Sequence, residues 1–196
     1  MKKFITKIVK FVGLTALLPL LSSCNYNSLV EKQQEVDQAW AQVENQYQRR
    51  ADLIPNLVNT VKGYSTHESE TLEKVTQARA KATSITLDAN NMTEEDLARF
   101  QAAQNELSQA LKSLLAVTEA YPDLKANENF MNLQTQLEGT ENRIATERMR
   151  YTEVVRDYNT TIKKFPTTIY AGWFGFTPKP QFKAEAGAEK APEVKF

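Results

Sequence analysis

Few side chains of this sequence suit catalysis, and they are scattered along it. Cys24 and His67 are the only cysteine and the only histidine among its 196 residues. A carboxylate-bridged dimetal centre in a helical bundle requires two histidines, which this chain does not supply. The sequence also contains no HExxH motif, no glycine-rich phosphate loop and no nucleophile with a histidine partner. His67, beside Glu68, is interpreted as part of a turn at a helix start. The sequence therefore predicts a protein that is not an enzyme, with no cofactor and no metal site.

A charged layer inside the predicted fold is the first candidate for a binding site. Arg50 is the one charged residue on the apolar stripe of its helix, and Glu141 and Glu147 lie on a polar stretch of a later helix. If the two helices are antiparallel and of similar length, Arg50 should lie near Ile144, within reach of either glutamate. An arginine fork suits a carboxylate in a partly buried site. The layer could hold a ligand or could only fix helix register, and the second interpretation is favoured.

Chemistry of another kind is predicted at Cys24. Four lysines and no acidic residue precede the apolar run from Phe11 to Leu21, which is too short to span a bilayer and is typical of a signal peptide. The run ends in Leu-Ser-Ser-Cys at residues 21–24, which resembles the bacterial lipobox. That resemblance implies cleavage before Cys24 and attachment of lipid, such as palmitate, to its thiol. The alternative is an incidental cysteine in an uncleaved membrane helix.

Removal of the predicted signal peptide, residues 1–23, changes the charge of the chain. The full chain has 24 basic and 24 acidic residues, and the loss of four lysines leaves 20 basic residues against 24 acidic ones. The mature chain is therefore mildly acidic, which argues against nucleic-acid binding. We expect the lipid on Cys24 to hold the protein at the cell membrane or outer membrane of a bacterium, facing outside the cytoplasm. We also expect a protein partner in the envelope, which the sequence does not identify.

The element that must position the charged layer is a long helix in the second half of the chain. Between residues 127 and 166 a large apolar or aromatic residue recurs at every seventh position: Phe130, Leu137, Ile144, Tyr151, Tyr158 and Phe165. A strict seven-residue repeat keeps one side of a helix against the same neighbour. The predicted neighbour is another long helix near the start of the mature chain.

Four helices are predicted, which gives an all-α antiparallel bundle. Two are long, at about 29–64 and 127–165, and two are shorter, at about 68–87 and 94–120. Pro55 predicts a kink in the first helix or, alternatively, a break into two helices. Residues 24–28 should form a tether, and residues 29–177 the bundle with an aromatic end segment. Residues 178–196 are predicted to be disordered, because they are rich in Ala, Glu, Lys and Pro without apolar periodicity.

Aromatic residues cluster after the last predicted helix, between Pro166 and Pro178. In an antiparallel bundle this segment lies beside the start of the first helix, a few residues from Cys24. Trp173, Phe174 and Phe176 are therefore candidates for contact with the membrane surface. The alternative, weighted equally, is that these side chains close the end of the hydrophobic core.

Two long segments carry a family resemblance. Residues 46–64 (QYQRRADLIPNLVNTVKGY) with His67 and Glu68, and residues 121–151 (YPDLKANENFMNLQTQLEGTENRIATERMRY), resemble the LemA family of bacterial membrane-associated proteins. The stretch 165–176 is similar to that family's ending. The resemblance implies a bundle of long helices with an N-terminal membrane attachment and its body outside the cytoplasm, and it implies no defined reaction. The lipobox is a departure, since many relatives look as though they carry an uncleaved transmembrane helix.

Two functions follow from these features. The first is a lipid-anchored cell-envelope bundle of the LemA type that is non-enzymatic and acts as a scaffold or interaction module. The alternative is a protein that binds a small ligand or ion in the Arg50 layer. A solvent-reachable cavity at Arg50 would favour the alternative, and a dry, paired layer would count against it.

Overall fold

A computed structural model of the chain describes residues 2–64 and 68–183, with side chains described from Tyr26 onward. His67, Cys24 as a side chain, and residues 184–196 lie outside this description. The described part contains six helices and no strand, so the all-α prediction is confirmed. The helices are α1 (Lys2–Lys62), α2 (Ser69–Ser84), α3 (Glu94–Thr118), α4 (Pro122–Lys125), α5 (Glu128–Lys163) and α6 (Thr167–Ala171).

The four predicted helices correspond to α1, α2, α3 and α5, and their ends differ from the predictions in a few places. Residues 24–28, predicted as a tether, are helical and belong to α1. Helices α4 and α6, of four and five residues, were not predicted. Two helices begin with side-chain caps: Thr93 and Asp96 form a capping box on α3, and the Asn127 side chain accepts a hydrogen bond from the Phe130 amide at 3.0 Å.

Helix α1 runs without a break through Pro55, so the alternative of two separate helices is wrong. A proline inside a helix cannot donate to the carbonyl four residues earlier, here that of Ala51. Arg79 of α2 supplies the missing donor, since its Nε lies 2.7 Å from the Ala51 carbonyl oxygen. Pro55 itself is exposed, so its ring displaces no core side chain. The neighbouring helix therefore compensates for the bond that the proline removes.

The two long helices pack against each other in antiparallel directions. Residue numbers rise along α5 as they fall along α1, and three contacts trace the pairing: Tyr64 with Asn127, Arg50 with Glu141, and Trp40 with Tyr151. Helices α2 and α3 are antiparallel as well, because Glu68 contacts Tyr121 at one end while Gln104 reaches the Ala82 carbonyl further along. The predicted partner of the seven-residue repeat is therefore the observed one.

Five of the six repeat residues are buried, and the sixth is not. Phe130, Leu137, Ile144, Tyr151 and Tyr158 all belong to the core. Phe165, predicted to continue the repeat, is 81% exposed. Helix α5 ends at Lys163, so the helical spacing no longer determines which way residue 165 points. The prediction fails there because a repeat has meaning only while the helix lasts.

Residues 178–183, which we call the C-terminal strap, are packed on the bundle, so disorder does not begin at Pro178 as predicted. Lys179 and Pro180 are buried, and Phe182 packs against Trp40 and Tyr151 at ring-centroid distances of 6.1 and 5.6 Å. The strap is a short segment outside any helix, and only a few of its side chains contact the bundle. Its sequence therefore shows no apolar periodicity. Tertiary contacts, which composition does not reveal, hold it in place.

Candidate functional site

Arg50 lies at the middle of the bundle, where it divides the hydrophobic core into two clusters. One cluster contains Tyr47 and Ile144, and the other contains Ile54 and Leu137. Along α1, Arg50 lies between Tyr47 and Ile54. Along α5, Glu141 lies between Leu137 and Ile144. A charged layer at this position fixes which residues face each other, because a shift along the helix axis would bury the charge among leucines.

The side chain of Arg50 is 1% exposed and is extensively hydrogen-bonded. Its Nη1 donates to Glu141 Oε1 at 2.8 Å and to Ser108 Oγ at 2.7 Å. Its Nη2 donates to the Gln104 side-chain oxygen at 2.5 Å and to the Gln104 carbonyl at 3.3 Å. The guanidinium carbon also lies 5.1 Å from the Tyr47 ring centroid. Both Nη atoms are paired, which counts against a ligand site at the guanidinium, whereas the buried Nε has no hydrogen-bond partner among the described residues.

The predicted members of the layer are only partly those observed. Glu141 is present, whereas Glu147 lies 4.0 Å from Arg150 on its own helix, beyond hydrogen-bonding distance. Gln104 and Ser108 of α3 join the layer and were not predicted. The apolar spacing of α3 does place Gln104 among buried positions, and a glutamine on such a stripe is the signal that could have found it.

Burial also affects the tyrosine beside the layer. Removal from water raises the pKa of the Tyr47 phenol, and the nearby charges of Arg148 and Arg50 act in the opposite direction. Tyr47 therefore stays a neutral phenol whose ring faces the guanidinium.

A solvent-reachable channel lies next to this layer, between α3 and α5. The cavity has a volume of about 430 Å³. Its floor is formed by Leu111, Leu115 and Leu137, and its rim includes Ser108, Glu138 and Glu141. The side chain of Glu141 is 42% exposed, so it contacts Arg50 on one side and the channel on the other. This channel combines an apolar floor with acidic groups at its edge, which suits a peptide side chain or helix better than a small anion.

The aromatic segment after α5 lies at the end of the bundle beside Tyr26 of α1. The Tyr26 ring lies 5.1 Å from that of Phe174 and 5.8 Å from that of Phe176, centroid to centroid. Tyr26 is two positions after Cys24 in the sequence. The predicted proximity of the aromatic segment to the start of the mature chain is therefore present.

The three predicted membrane-contact residues differ in exposure. Trp173 is 81% and Phe174 58% exposed, whereas Phe176 is 8% exposed and belongs to the core. The glycine between them explains the difference: Gly175 has φ +77°, a conformation that glycine adopts without strain, and it turns Phe176 inward. Both interpretations of the segment thus apply, each to different residues. Phe165 and Ile169 add to the exposed apolar surface at this end.

The contacts of the C-terminal strap were missed by the sequence analysis. Asn159 holds it with two main-chain bonds of 2.8 Å, one to the amide and one to the carbonyl of Lys179. Lys179 Nζ donates to the carbonyls of Ala89 and Asn90 at 2.9 and 3.0 Å. Desolvation lowers the pKa of this buried amine, partly opposed by the charges of Asp37 and Asp88.

Neither a metal site nor a membrane span is found in the described part of the chain. No group of three His, Cys, Asp or Glu side chains among these residues is placed to hold a metal ion. No helix formed by described residues is both long and apolar enough to cross a bilayer.

Comparison with known proteins agrees with the resemblance of the two long segments. Residues 39–196 match the family model of the LemA family. Protein LemA of Metamycoplasma hominis is 26% identical over 147 residues, which cover 75% of this chain and 60% of that protein. Magnetosome proteins MamQ 1 and MamQ 2 of Paramagnetospirillum magneticum are each 26% identical over 181 residues, covering 84% of this chain and 66% of theirs. The chain thus spans about two thirds or less of these relatives' length. Because the match extends over most of its residues, the chain belongs to the LemA family.

Proposed function

We propose that this LemA-family chain is a lipid-anchored helical bundle of the bacterial cell envelope that acts as a non-enzymatic interaction module. In this proposal the chain is cleaved before Cys24, carries lipid on that residue and faces outside the cytoplasm. An envelope protein is its partner. The alternative is a small-ligand or ion site in the Arg50 layer. The cavity beside Ser108 and Glu141 favours it, and the guanidinium already bonded to three side chains counts against it.

One observation carries the membrane part of the proposal. Trp173 and Phe174 project from the end of the bundle, and the Phe174 ring contacts Tyr26, two positions from the predicted lipid attachment. Exposed aromatic side chains prefer the headgroup region of a bilayer. A single acyl chain gives marginal, reversible membrane binding, so a second contact at the same end would strengthen the attachment.

The aromatic contact is tested with the chain from Asn25 onward, which carries no lipid. Co-sedimentation with phospholipid vesicles should fall roughly tenfold when Trp173→Ala and Phe174→Ala are combined, because two half-inserted rings contribute on the order of 1–2 kcal/mol. The matched control combines Met131→Ala and Met149→Ala, which remove exposed apolar side chains elsewhere on the bundle. Absence of vesicle binding by the unsubstituted chain, or an equal loss in the control, would reject the contact.

The lipid anchor is tested separately in cells that express the full chain. Metabolic labelling with an alkyne fatty acid should mark the protein, and Cys24→Ser should abolish the label. An unlabelled protein whose mass still includes residues 1–23 would contradict the anchor. Crosslinking in the native envelope, followed by identification of the captured protein, then tests whether the bundle has a protein partner.

A further inference from the structure

The C-terminal strap lies in the channel between α3 and α5. It occupies the section beside Arg148 and Asn159 of α5, whereas the section beside Leu137 and Glu141 is open. Along α5 the strap meets Asn159 first, then Tyr151, whose hydroxyl donates to the Pro180 carbonyl at 3.1 Å. It then reaches Arg148, whose guanidinium lies 4.5 Å from the Phe182 ring centroid. The strap therefore runs toward lower residue numbers on α5, in the direction of Glu141 and Leu137, where the 430 Å³ cavity lies.

Three features of the channel hold the strap. Phe182 packs on apolar rings in the channel. The Gln101 side chain of α3 donates to the Lys183 carbonyl at 3.0 Å, which is recognition of an extended main chain. Lys183 Nζ pairs with Glu94 on the rim at 2.7 Å.

The open section of the channel offers comparable groups, with leucines in place of aromatic rings and an acidic residue on α5 in place of Glu94 on α3. Asn105 and Gln109 follow Gln101 at steps of four residues, so the three amides lie on one face of α3. The floor is apolar, with Leu111 and Leu137, and the exposed Glu138 supplies an acidic rim. A segment like the strap, with an apolar residue followed by a lysine, therefore fits this section.

The same chain contains a second segment of that kind. Residues 180–183 read PQFK, and residues 192–195 read PEVK, so each has a proline, a polar residue, an apolar residue and a lysine in the same order. Val194 follows Phe182 by twelve positions in the sequence. An extended chain of that length reaches up to about 40 Å, whereas moving from Arg148 to Leu137 along a helix requires roughly 17 Å.

We propose that the open section of the α3–α5 channel is a docking site for residues 192–195 of the same chain. Val194 meets the leucine floor, and Lys195 pairs with Glu138 as Lys183 pairs with Glu94. The channel then serves one purpose along its length, which is to bind the chain's own C-terminal segment. A protein partner that uses this channel has to compete with that segment.

Disulfide trapping in the full chain with Cys24→Ser tests the proposal. One variant carries Val194→Cys with Lys112→Cys on the exposed rim of the channel, and the control carries Val194→Cys with Lys74→Cys on α2, which is also exposed. Docking should make the channel pair form a disulfide within one chain on the order of tenfold faster than the control, because docking raises the effective concentration. Lys195→Glu should slow the reaction, and adding Glu138→Lys should restore it.

Each result decides between occupants. Faster intramolecular trapping at Lys112→Cys, with rescue by the charge exchange, supports the chain's own segment. Equal rates for the channel and control pairs overturn the proposal. Disulfide-linked dimers as the main product also overturn it, because the occupant would then be a second copy. Lys112 and Lys74 are both exposed, and circular dichroism verifies that each variant is folded before its rate is counted.

Discussion

At the scale of single residues, Arg50 shows how a buried charge can be structural. Its hydrogen bonds reach α3 through Ser108 and Gln104 and α5 through Glu141, so one side chain of α1 joins three helices. Glu141 keeps contact with water, which lowers the cost of leaving it without its partner. The larger cost of losing Arg50 should come from the volume it fills and from the Gln104 oxygen it satisfies.

Arg50→Ala should lower the free energy of unfolding by about 3 kcal/mol, since it leaves a cavity and an unsatisfied buried amide oxygen. Arg50→Lys should cost less, because it keeps the charge and loses the fork. Urea denaturation measures both. Arg49→Ala, on the exposed side of the same turn, is the control and should change stability by less than about 0.5 kcal/mol. An unchanged melting temperature for Arg50→Ala would show that the layer contributes nothing.

Asp96 links the start of α3 to pH. Hydrogen bonds from the Thr93 hydroxyl, from Arg99 and from the Thr93 amide lower the pKa of its carboxyl from 3.8 to about 2. Between these values the unfolded chain binds more protons than the folded one, so the contribution to stability is present above 3.8 and lost as pH falls toward 2. Asp96→Asn should therefore reduce the fall in melting temperature over this acid range. Identical slopes for Asp96→Asn and the unsubstituted protein would contradict the assignment.

At the scale of elements, the continuity of α1 depends on its neighbour. Pro55 removes one donor from the helix, and the Arg79 guanidinium of α2 replaces it at the Ala51 carbonyl. The long helix and the short one are therefore coupled at this point. A helix-breaking residue is tolerated because a tertiary contact satisfies the backbone carbonyl that the proline leaves without a donor.

Arg79→Ala should destabilise the protein by about 1–2 kcal/mol, because it leaves the Ala51 carbonyl without a donor. In a Pro55→Ala background the residue 55 amide can donate to that carbonyl, so the same substitution should cost about 1 kcal/mol less. Thermal unfolding of the two single variants and the double variant measures the coupling. Equal losses from Arg79→Ala in both backgrounds would mean that Arg79 acts by another contact.

At the scale of the whole molecule, two phenylalanines exchange the roles expected of them. Phe165, on the seven-residue repeat, is exposed, whereas Phe182, in the segment predicted to be disordered, packs on Trp40 and Tyr151. The C-terminal strap, residues 178–183, thus contacts α1, α3 and α5. The aromatic segment before it stays at the end near Tyr26.

Phe182→Ala should reduce the free energy of unfolding by about 2 kcal/mol, because it removes a partly buried ring and its contact with Arg148. Phe165→Ala makes the same chemical change at an exposed position and should alter stability by less than about 0.5 kcal/mol. Guanidinium denaturation of the two variants compares them directly. Similar effects at both positions, or a larger one at Phe165, would contradict the packing of the strap.

The sequence by itself determined the helical class, the pairing of the two long helices and the placement of Arg50 within reach of Glu141 or Glu147. Each depends on periodicity, and a regular helix converts spacing along the chain into direction in space. The caps observed at Thr93 and Asn127 are local contacts of the same helices, since their bonds span three residues.

Only the tertiary structure decided the partners of Arg50 and the packing of the C-terminal strap. These contacts join residues that are far apart in the sequence and lie outside any periodic pattern. Glu147 fails to reach Arg50, while Gln104 and Ser108 reach it from a helix whose rotation the sequence does not specify. Phe176 turns into the core at a glycine, and residues 178–183 are held by Asn159 and by an aromatic pocket. An extended segment has no repeat to indicate its packing, so its place becomes visible only when the helices that bind it are assembled.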